Sequence, residues 1–513
     1  MKNNANTKDW IKNVIKQDEI DKYLVNGEDF INEEKIDHHI KNQANPDPHK
    51  IRDIMKKSLA IKRLEPNETA ALMNVKDKEL WEEMYETALE VKKKVYDNRI
   101  VFFAPLYLSN LCVNNCSYCG FRSKNCSEKR KILTEDEIRK ETSVMLSEGH
   151  KRMIAVWGEH PESSIDYMVK SMETIYSVKE KAPRGPGEGS IRRININAAP
   201  MKKDHLRRLW EVGVGTYQVF QETYHKPTYG KMHPPKTIKG NYRWRLYALH
   251  RAMEAGIDDV ATGVLFGLYN WKFEVMALQY HAIDLERQFG IGPHTVSFPR
   301  LMHAAGSEVA ENSPYLVSDD ELKKIITILR LSIPYTGLII TAREKAELRR
   351  EMIKVGCTQT DASTRIGVGG YYDALKEWKE LQEKGIEQDE DRQQFVLGDT
   401  RRLDAVVREL ADMGIITSFC TAGYRCGRTG DKIMGLLCSG TEGKFCKLNA
   451  ILTFREFIDD YASDKTRKAG EKLLKKEFEE VEKGEWFKSH PEVVKEFKKY
   501  YRRIADGERD LYI

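Results

Sequence analysis

"RIVFFAPLYLSNLCVNNCSYCGFR", residues 99–122, runs from an apolar stretch rich in β-branched and aromatic side chains directly into cysteines at 112, 116 and 119. The first ten residues have the composition of a buried strand, so the cysteines fall at its C-terminal end. Seven more runs of this kind follow: "RMIAVWG" (152–158), "RRININ" (192–197), "GTYQVF" (215–220), "DVATGVLFG" (259–267), "HTVSFPRL" (294–301), "GLIITAR" (337–343) and "GCTQTDAS" (356–363). Between them lie longer amphipathic stretches such as "TEDEIRKETSVMLSEGH" and "WRLYALHRAMEAG", which have helical period and often close on Gly, a C-cap signal. Parallel strands need helical crossovers, and eight such units close on themselves, so the expected fold is an α/β chain with a TIM-type (β/α)8 barrel. A doubly wound open sheet is the rival. Sites in such barrels sit at the C-terminal ends of the strands, where the cysteines are.

Working outward, residues 1–95 read as an N-terminal helical extension, 96–372 as the barrel, and 373–513 as a mostly helical C-terminal domain. Leu72, Leu80, Met84, Leu89 and Val91 recur at mostly helical spacings, and Asn67 is placed to open a helix. The barrel pattern breaks in "DALKEWKELQEKGIEQDEDRQQ" (373–394), which reads as a solvated helix or linker. With 84 Lys+Arg against 79 Asp+Glu the formal charge is only +5 over 513 residues, which gives no reason to expect nucleic acid. The first thirty residues intersperse charges and hold no apolar core of a secretory signal, and no run approaches the ~18 apolar residues of a spanning helix. The expected setting is the cytoplasm, and the expected partner a small molecule.

Nine cysteines in a cytoplasmic chain are metal ligands or inert core thiols more readily than disulfides. A structural zinc site wants a fourth Cys or His nearby; Cys126 is an exposed-looking candidate, and no His follows before His150. Three thiolates in one compact loop suit an iron-sulfur cubane with one iron left open.

The Cys112-x3-Cys116-x2-Cys119 spacing, with Tyr118 before the last cysteine, resembles the radical S-adenosylmethionine (SAM) superfamily. That resemblance implies a 4Fe-4S cluster on these three cysteines, SAM chelated by the open iron, and reductive cleavage of SAM to a 5'-deoxyadenosyl radical. Further stretches, among them "GVGTYQVFQETYHKPTYGKMHP", "AMEAGIDDVATGVLFGLY", "CTAGYRCGRTGDKIM", "NAILTFREFIDDYA" and "GERDLYI", are similar to the tyrosine-lyase maturases of FeFe-hydrogenases. They are similar, less closely, to the thiamine-pathway 2-iminoacetate synthases. The likeness runs from about residue 50 to the last. It implies cleavage of the Cα–Cβ bond of L-tyrosine, or a similar aromatic amino acid, to 2-iminoacetate (dehydroglycine) and p-cresol, with an electron donor such as ferredoxin or flavodoxin. In the maturases it also implies a second cluster, at which the small fragment becomes CO and cyanide.

Gly158 and Glu159 end strand two, where superfamily members hold the SAM amino group by backbone and carboxylate; the plainer reading is a strand-ending turn. Gln221, Glu222, Tyr224 and His225 concentrate polar groups after strand four, as cofactor-binding candidates beside Tyr118. Arg300 and Arg343 end strands six and seven, each able to hold a carboxylate through a bidentate pair or to close a rim salt bridge. After strand eight, Ser363 and Thr364 with Gly367, Gly369 and Gly370 offer a backbone nest for a carboxylate, or a plain Gly-rich turn.

The chain departs from the maturase pattern at its C-terminus, where the motif C-x2-C-x22-C is matched by Cys420, Gly423 and Cys446. Losing the middle thiolate removes a bond and a charge. Cys420, Cys426 and Cys446 form a candidate rearranged site, with Cys438 as a spare; the alternative is that these are ordinary thiols left after an auxiliary site was lost. Val156 and Trp157 stand where the maturase has Glu-Ala, Met302 and His303 where it has Arg-Pro, and Arg365 where it has Cys. The leading expectation is therefore a radical SAM lyase. Its alternatives are a full maturase with a rearranged second cluster, a thiamine-pathway synthase, and, from another class, a non-catalytic iron-sulfur scaffold.

Overall fold

A computed structural model describes residues 4–304, 307, 309–372 and 394–513, with 4–6, 431, 434 and 438 as backbone. Its strands are β1 (Arg99–Ser109), β2 (Arg152–Trp157), β3 (Lys179–Lys181), β4 (Glu188–Ser190), β5 (Arg193–Asn197), β6 (Val214–Gln218), β7 (Val260–Gly263), β8 (Thr295–Ser297), β9 (Gly337–Ile340), β10 (Gln359–Asp361) and β11 (Ile416–Ser418). Eight of them, β1, β2 and β5 to β10, pair in parallel in sequence order. The sheet closes where Val101 to Phe103 of β1 meet Gln359 to Asp361 of β10. This is the (β/α)8 barrel, and all eight expected strands are in it. Strands buried on both faces carry unbroken apolar runs, as β1 does, rather than alternation.

The strands are shorter than the apolar runs that announce them. The run "GCTQTDAS" yields only three paired residues, because the Asp361 carboxylate accepts the Ala342 N–H (2.7 Å) and the Thr364 hydroxyl (2.6 Å) and the chain turns at Ser363, φ 54°. Two elements are additional to the expected set. A small antiparallel hairpin, β3–β4, interrupts the second crossover, and β11 pairs with Arg99 to Val101 of β1, below the level at which β2 joins at Ala104. β11 therefore closes part of the barrel floor.

The N-terminal stretch folds as helices, but the segment around Leu72 to Val91 is two of them, Pro66–Met73 and Lys78–Tyr96. Their starts are set by Glu65, in a capping box with Glu68, and by Asp77, which accepts the Leu80 N–H; Asn67 is not the cap. Leu80, Met84, Ala88, Val91 and Val95 form one buried stripe of Lys78–Tyr96. They join a core that is continuous with barrel residues such as Val296 and Leu338 and with C-terminal residues such as Phe454 and Leu473. Each large apolar side chain so buried contributes roughly 1.5–3 kcal/mol. The charged segment 373–394 lies outside the described residues apart from Gln394. No helix among the described residues is long and apolar enough to cross a membrane.

Candidate active site

The loop after β1 is shaped by its own polar groups. Arg130 donates to the carbonyls of Asn110 (2.8 Å), Phe121 (2.8 Å), Arg122 (2.6 Å) and Asn125 (3.3 Å), gathering both arms of the loop on one guanidinium. Asn110 bridges from the strand end to Glu128, Lys129 and Lys131. Inside this frame the Cys119 N–H meets the Cys116 carbonyl at 3.3 Å, so Cys116 and Cys119 lie on one tight turn, with Cys112 on the loop just before it.

They open into a cleft at the C-terminal ends of the barrel strands, with an empty volume of about 1100 Å3. Its walls bring together Cys112, Cys116, Cys119, Tyr118, Gly158, Glu159, Glu222 and Arg343 from loops that follow β1, β2, β6 and β9. Gly158 is required by geometry. A Cβ there would collide with the carbonyl oxygen of Leu111, and its N–H donates to Ser109 (2.8 Å), so β2 and the cysteine loop pass at backbone distance. Glu159 is 8 % exposed; Asn114 donates to its Oε2, while Oε1 has no partner. Burial raises its carboxyl above the ordinary range, with the Asn114 hydrogen bond opposing.

Glu222 sits at φ 71° and accepts from Lys239 (2.7 Å) and Arg245 (3.4 Å). Burial pushes its carboxyl up, but the two cations outweigh it and hold the group below the ordinary range. Tyr118 is fixed by its hydroxyl on His233 Nε2 (2.8 Å). Arg343 lies over the ring of Phe395 at 3.2 Å from its centroid, and burial lowers it to about 10. Gln394 spans from Tyr107, whose hydroxyl donates to it (2.9 Å), to Cys119, whose sulfur accepts from its amide (3.5 Å).

The remaining candidates lie outside the cleft and have other partners. Arg300 forks onto Glu344 and reaches Asp319 (2.9 Å) and the Val317 carbonyl (2.8 Å), the rim salt bridge. Ser363 Oγ accepts the Leu403 N–H (2.7 Å), and Thr364 is tied to Asp361. Just past the glycines, backbone N–H groups do hold a carboxylate, but it is the protein's own: Tyr371 and Tyr372 donate to Glu141 at 2.9 and 2.7 Å. Tyr224 is fully buried with its hydroxyl on His281 (2.7 Å), and His225 stacks on Tyr269 at 3.7 Å. Cys420 and Cys446 line a second cavity at the opposite end of the barrel; Cys426 is exposed and off its wall, and Cys438 lies outside the described side chains.

Sequence reading missed Asn114, Lys239, Arg245 and Gln394. Asn114 carried a signal, an amide between two motif cysteines. Lys239 and Arg245 lie far past strand four, and only the fold brings them to Glu222.

The donor set fits a cluster with an open iron. Three thiols share one wall of the cleft, and burial raises Cys112 and pushes Cys116 up to about 12, so their thiolate forms want the positive charge that iron brings. The orphaned Glu159 Oε1 on the adjoining wall fits a ligand with an ammonium group.

Residues 106–277 match the radical SAM superfamily, and 297–416 the biotin and thiamin synthesis associated domain. The 2-iminoacetate synthase of Escherichia coli (strain K12) is 28 % identical over 364 residues, 70 % of this chain and 88 % of that protein. The crystal structure of HydG, a maturase of the FeFe-hydrogenase, is 43 % identical, covers 95 % of this chain and 100 % of its own, and superposes with a TM-score of 0.86. For HydG from Carboxydothermus hydrogenoformans the identity is 34 %, the coverage 94 % and 99 %, and the TM-score 0.74.

Proposed function

The chain belongs to the radical SAM family of the HydG maturases, and from that premise we propose that it is a lyase cleaving the Cα–Cβ bond of L-tyrosine to 2-iminoacetate and p-cresol. The observation that carries this is the cleft itself, where three thiols, an unsatisfied buried carboxylate and a buried arginine converge at the strand ends. As a radical SAM protein the chain takes a 4Fe-4S cluster and SAM, which together supply one-electron cleavage and a hydrogen-abstracting radical.

The protein's part is binding and exclusion of water. Cys112, Cys116 and Cys119 hold the cluster. Glu159 Oε1 would receive an ammonium group of SAM, with Gly158 offering backbone at the same edge. Glu222, kept ionised by Lys239 and Arg245, orders the second wall. Arg343 donates to a substrate carboxylate, because its guanidinium lines the cleft, packs on the Phe395 ring and feels the charges of Glu222 and Glu344 without a hydrogen bond to either among the described residues. Trp157, 4 % exposed with its indole N–H unpartnered, lines the same space and sets which aromatic ring is admitted. Arg300, Ser363, Thr364, Tyr224 and His225 act through the scaffold.

Within the expected domains 1–95, 96–372 and 373–513, the described residues serve as brace, barrel and cap. A small cytoplasmic electron donor of the ferredoxin or flavodoxin type delivers the electron. The test is anaerobic: reconstituted protein, SAM, dithionite and each aromatic amino acid, with products identified by mass. p-Cresol with 5'-deoxyadenosine from tyrosine is expected. Abundant 5'-deoxyadenosine with every amino acid left intact overturns the lyase; none at all, with the cluster present, favours a scaffold.

A further inference from the structure

The second cavity opens where β1 and β2 begin, at the opposite end of the barrel from the cysteine loop, and its empty volume is about 880 Å3. The family resemblance leads one to expect an iron-sulfur cluster here, and the donor set does not fit it. Among the described side chains two thiols, Cys420 and Cys446, line the cavity, and Gly423 occupies the wall without a side chain to offer. Both sulfurs are already engaged: Cys446 accepts from Arg99 Nη2 (2.9 Å) and donates to Glu442 Oε1 (3.3 Å), and Cys420 accepts the Ala422 N–H (3.2 Å). Such clusters are held by three or four thiolates.

What the cavity holds instead is unspent hydrogen-bonding capacity. Arg152, the first residue of β2, is 6 % exposed, and its guanidinium makes no hydrogen bond or ion pair among the described residues; its Nε is buried without a partner there. Its neighbour is the ring of Tyr424, at 5.8 Å. Arg99 is 8 % exposed, its Nε is also unpartnered, and its one hydrogen bond goes to a thiol, a weak acceptor. A buried guanidinium short of acceptors is costly, and here one with none and one with only a thiol line the same space. In the same lining, Glu442 Oε2 is ion-paired with Arg428 Nε at 3.6 Å, whereas Asp259 Oδ1 is a buried acceptor without a donor among the described residues. The planar fork of a guanidinium matches a carboxylate, and the orphaned Asp259 Oδ1 wants a donor on the same ligand.

We propose that this cavity binds a small carboxylate bearing a hydroxyl or amino donor, seated on Arg99 and Arg152 with its donor toward Asp259, in place of an iron-sulfur cluster. The site stands on its own residues and does not depend on the lyase reading.

The test uses the full chain reconstituted with iron and sulfide. Glycolate, glycine, acetate and sulfate are titrated by calorimetry, with thermal unfolding as a second readout, and iron is counted per chain. Saturable binding of glycolate or glycine is expected, about tenfold or more tighter than acetate, and about tenfold or more weaker in Arg152→Gln. About four irons per chain are expected, unchanged in Cys420→Ser and Cys446→Ser. No saturable binding by the native protein, the behaviour of a cavity that holds water only, overturns the proposal. So do about eight irons that fall to about four when Cys420 or Cys446 is replaced. Both readouts stand on the native chain if Arg152→Gln fails to fold.

Discussion

The two ends of this barrel carry cysteines in opposite surroundings. At the upper end three thiols from one loop face a cleft with free room beside them, and two of its cations, Lys239 and Arg245, are committed to Glu222. At the lower end two thiols come from separate elements, glycine stands where the third would contribute, and Arg99 donates to one of the two sulfurs. The contrast teaches that cysteine content does not define a metal centre. What decides is whether the chain leaves the sulfurs free, or fills the same space with fixed cations that recruit an anion.

The sharpest way to break this comparison is to remove one thiol from each end. Cys116→Ala abolishes the visible cluster absorbance and lowers 5'-deoxyadenosine formation by about a thousandfold or more, whereas Cys446→Ala leaves both near native. Equal losses from the two substitutions would end the distinction. Next in size is Glu159→Gln, which replaces a buried charge by a neutral amide. It weakens SAM binding by about 10- to 100-fold, the worth of one charge-assisted hydrogen bond, with the cluster still assembled; equilibrium dialysis of SAM measures it. Gly158→Ala forces a methyl against the Leu111 carbonyl and costs ~2 kcal/mol of stability in denaturant unfolding, with poorer cluster retention.

A pH experiment sharpens the picture of how the upper cleft is supported. Glu274 is buried beneath the loop after β6, where it accepts from the Thr223 hydroxyl and the Tyr224 N–H, and burial raises its carboxyl to about 8. Its folded form holds the proton more tightly than its unfolded form, so its contribution is full below about pH 4.5 and fades as pH rises through about 8. The native protein therefore loses stability over that window relative to Glu274→Gln. Matched unfolding curves from pH 5 to 9 check this, and parallel curves count against it. The smallest effect belongs to Arg300→Gln, which loses rim ion pairs worth about 1 kcal/mol of stability and changes tyrosine cleavage by less than about twofold. A large loss of turnover there would move Arg300 back into the site.

Much of the barrel was legible because doubly buried strands advertise themselves as apolar runs, and because three cysteines in eight positions leave few chemistries open. Strand lengths were not, since Asp361 ends β10 with its side chain, and hydrophobicity carries no trace of that choice. β11 was hidden for a related reason. "ITS" is too short to read as a strand until β1 is seen to begin below its neighbour. Of the residues singled out from the sequence, Tyr118 inside the motif and Gly158 and Glu159 at the end of β2 line the cleft. Proximity in sequence misled for Arg300, Ser363 and Thr364, since a strand-end polar residue has an outward as well as an inward choice. A carboxylate across the interface, Glu344 for Arg300, is visible only in three dimensions.

Arg130 fastens the cysteine loop by four carbonyls, none of them a sulfur contact. One guanidinium thus sets the course of the backbone that carries all three sulfurs, and a change at Arg130 reaches every one of them without touching any.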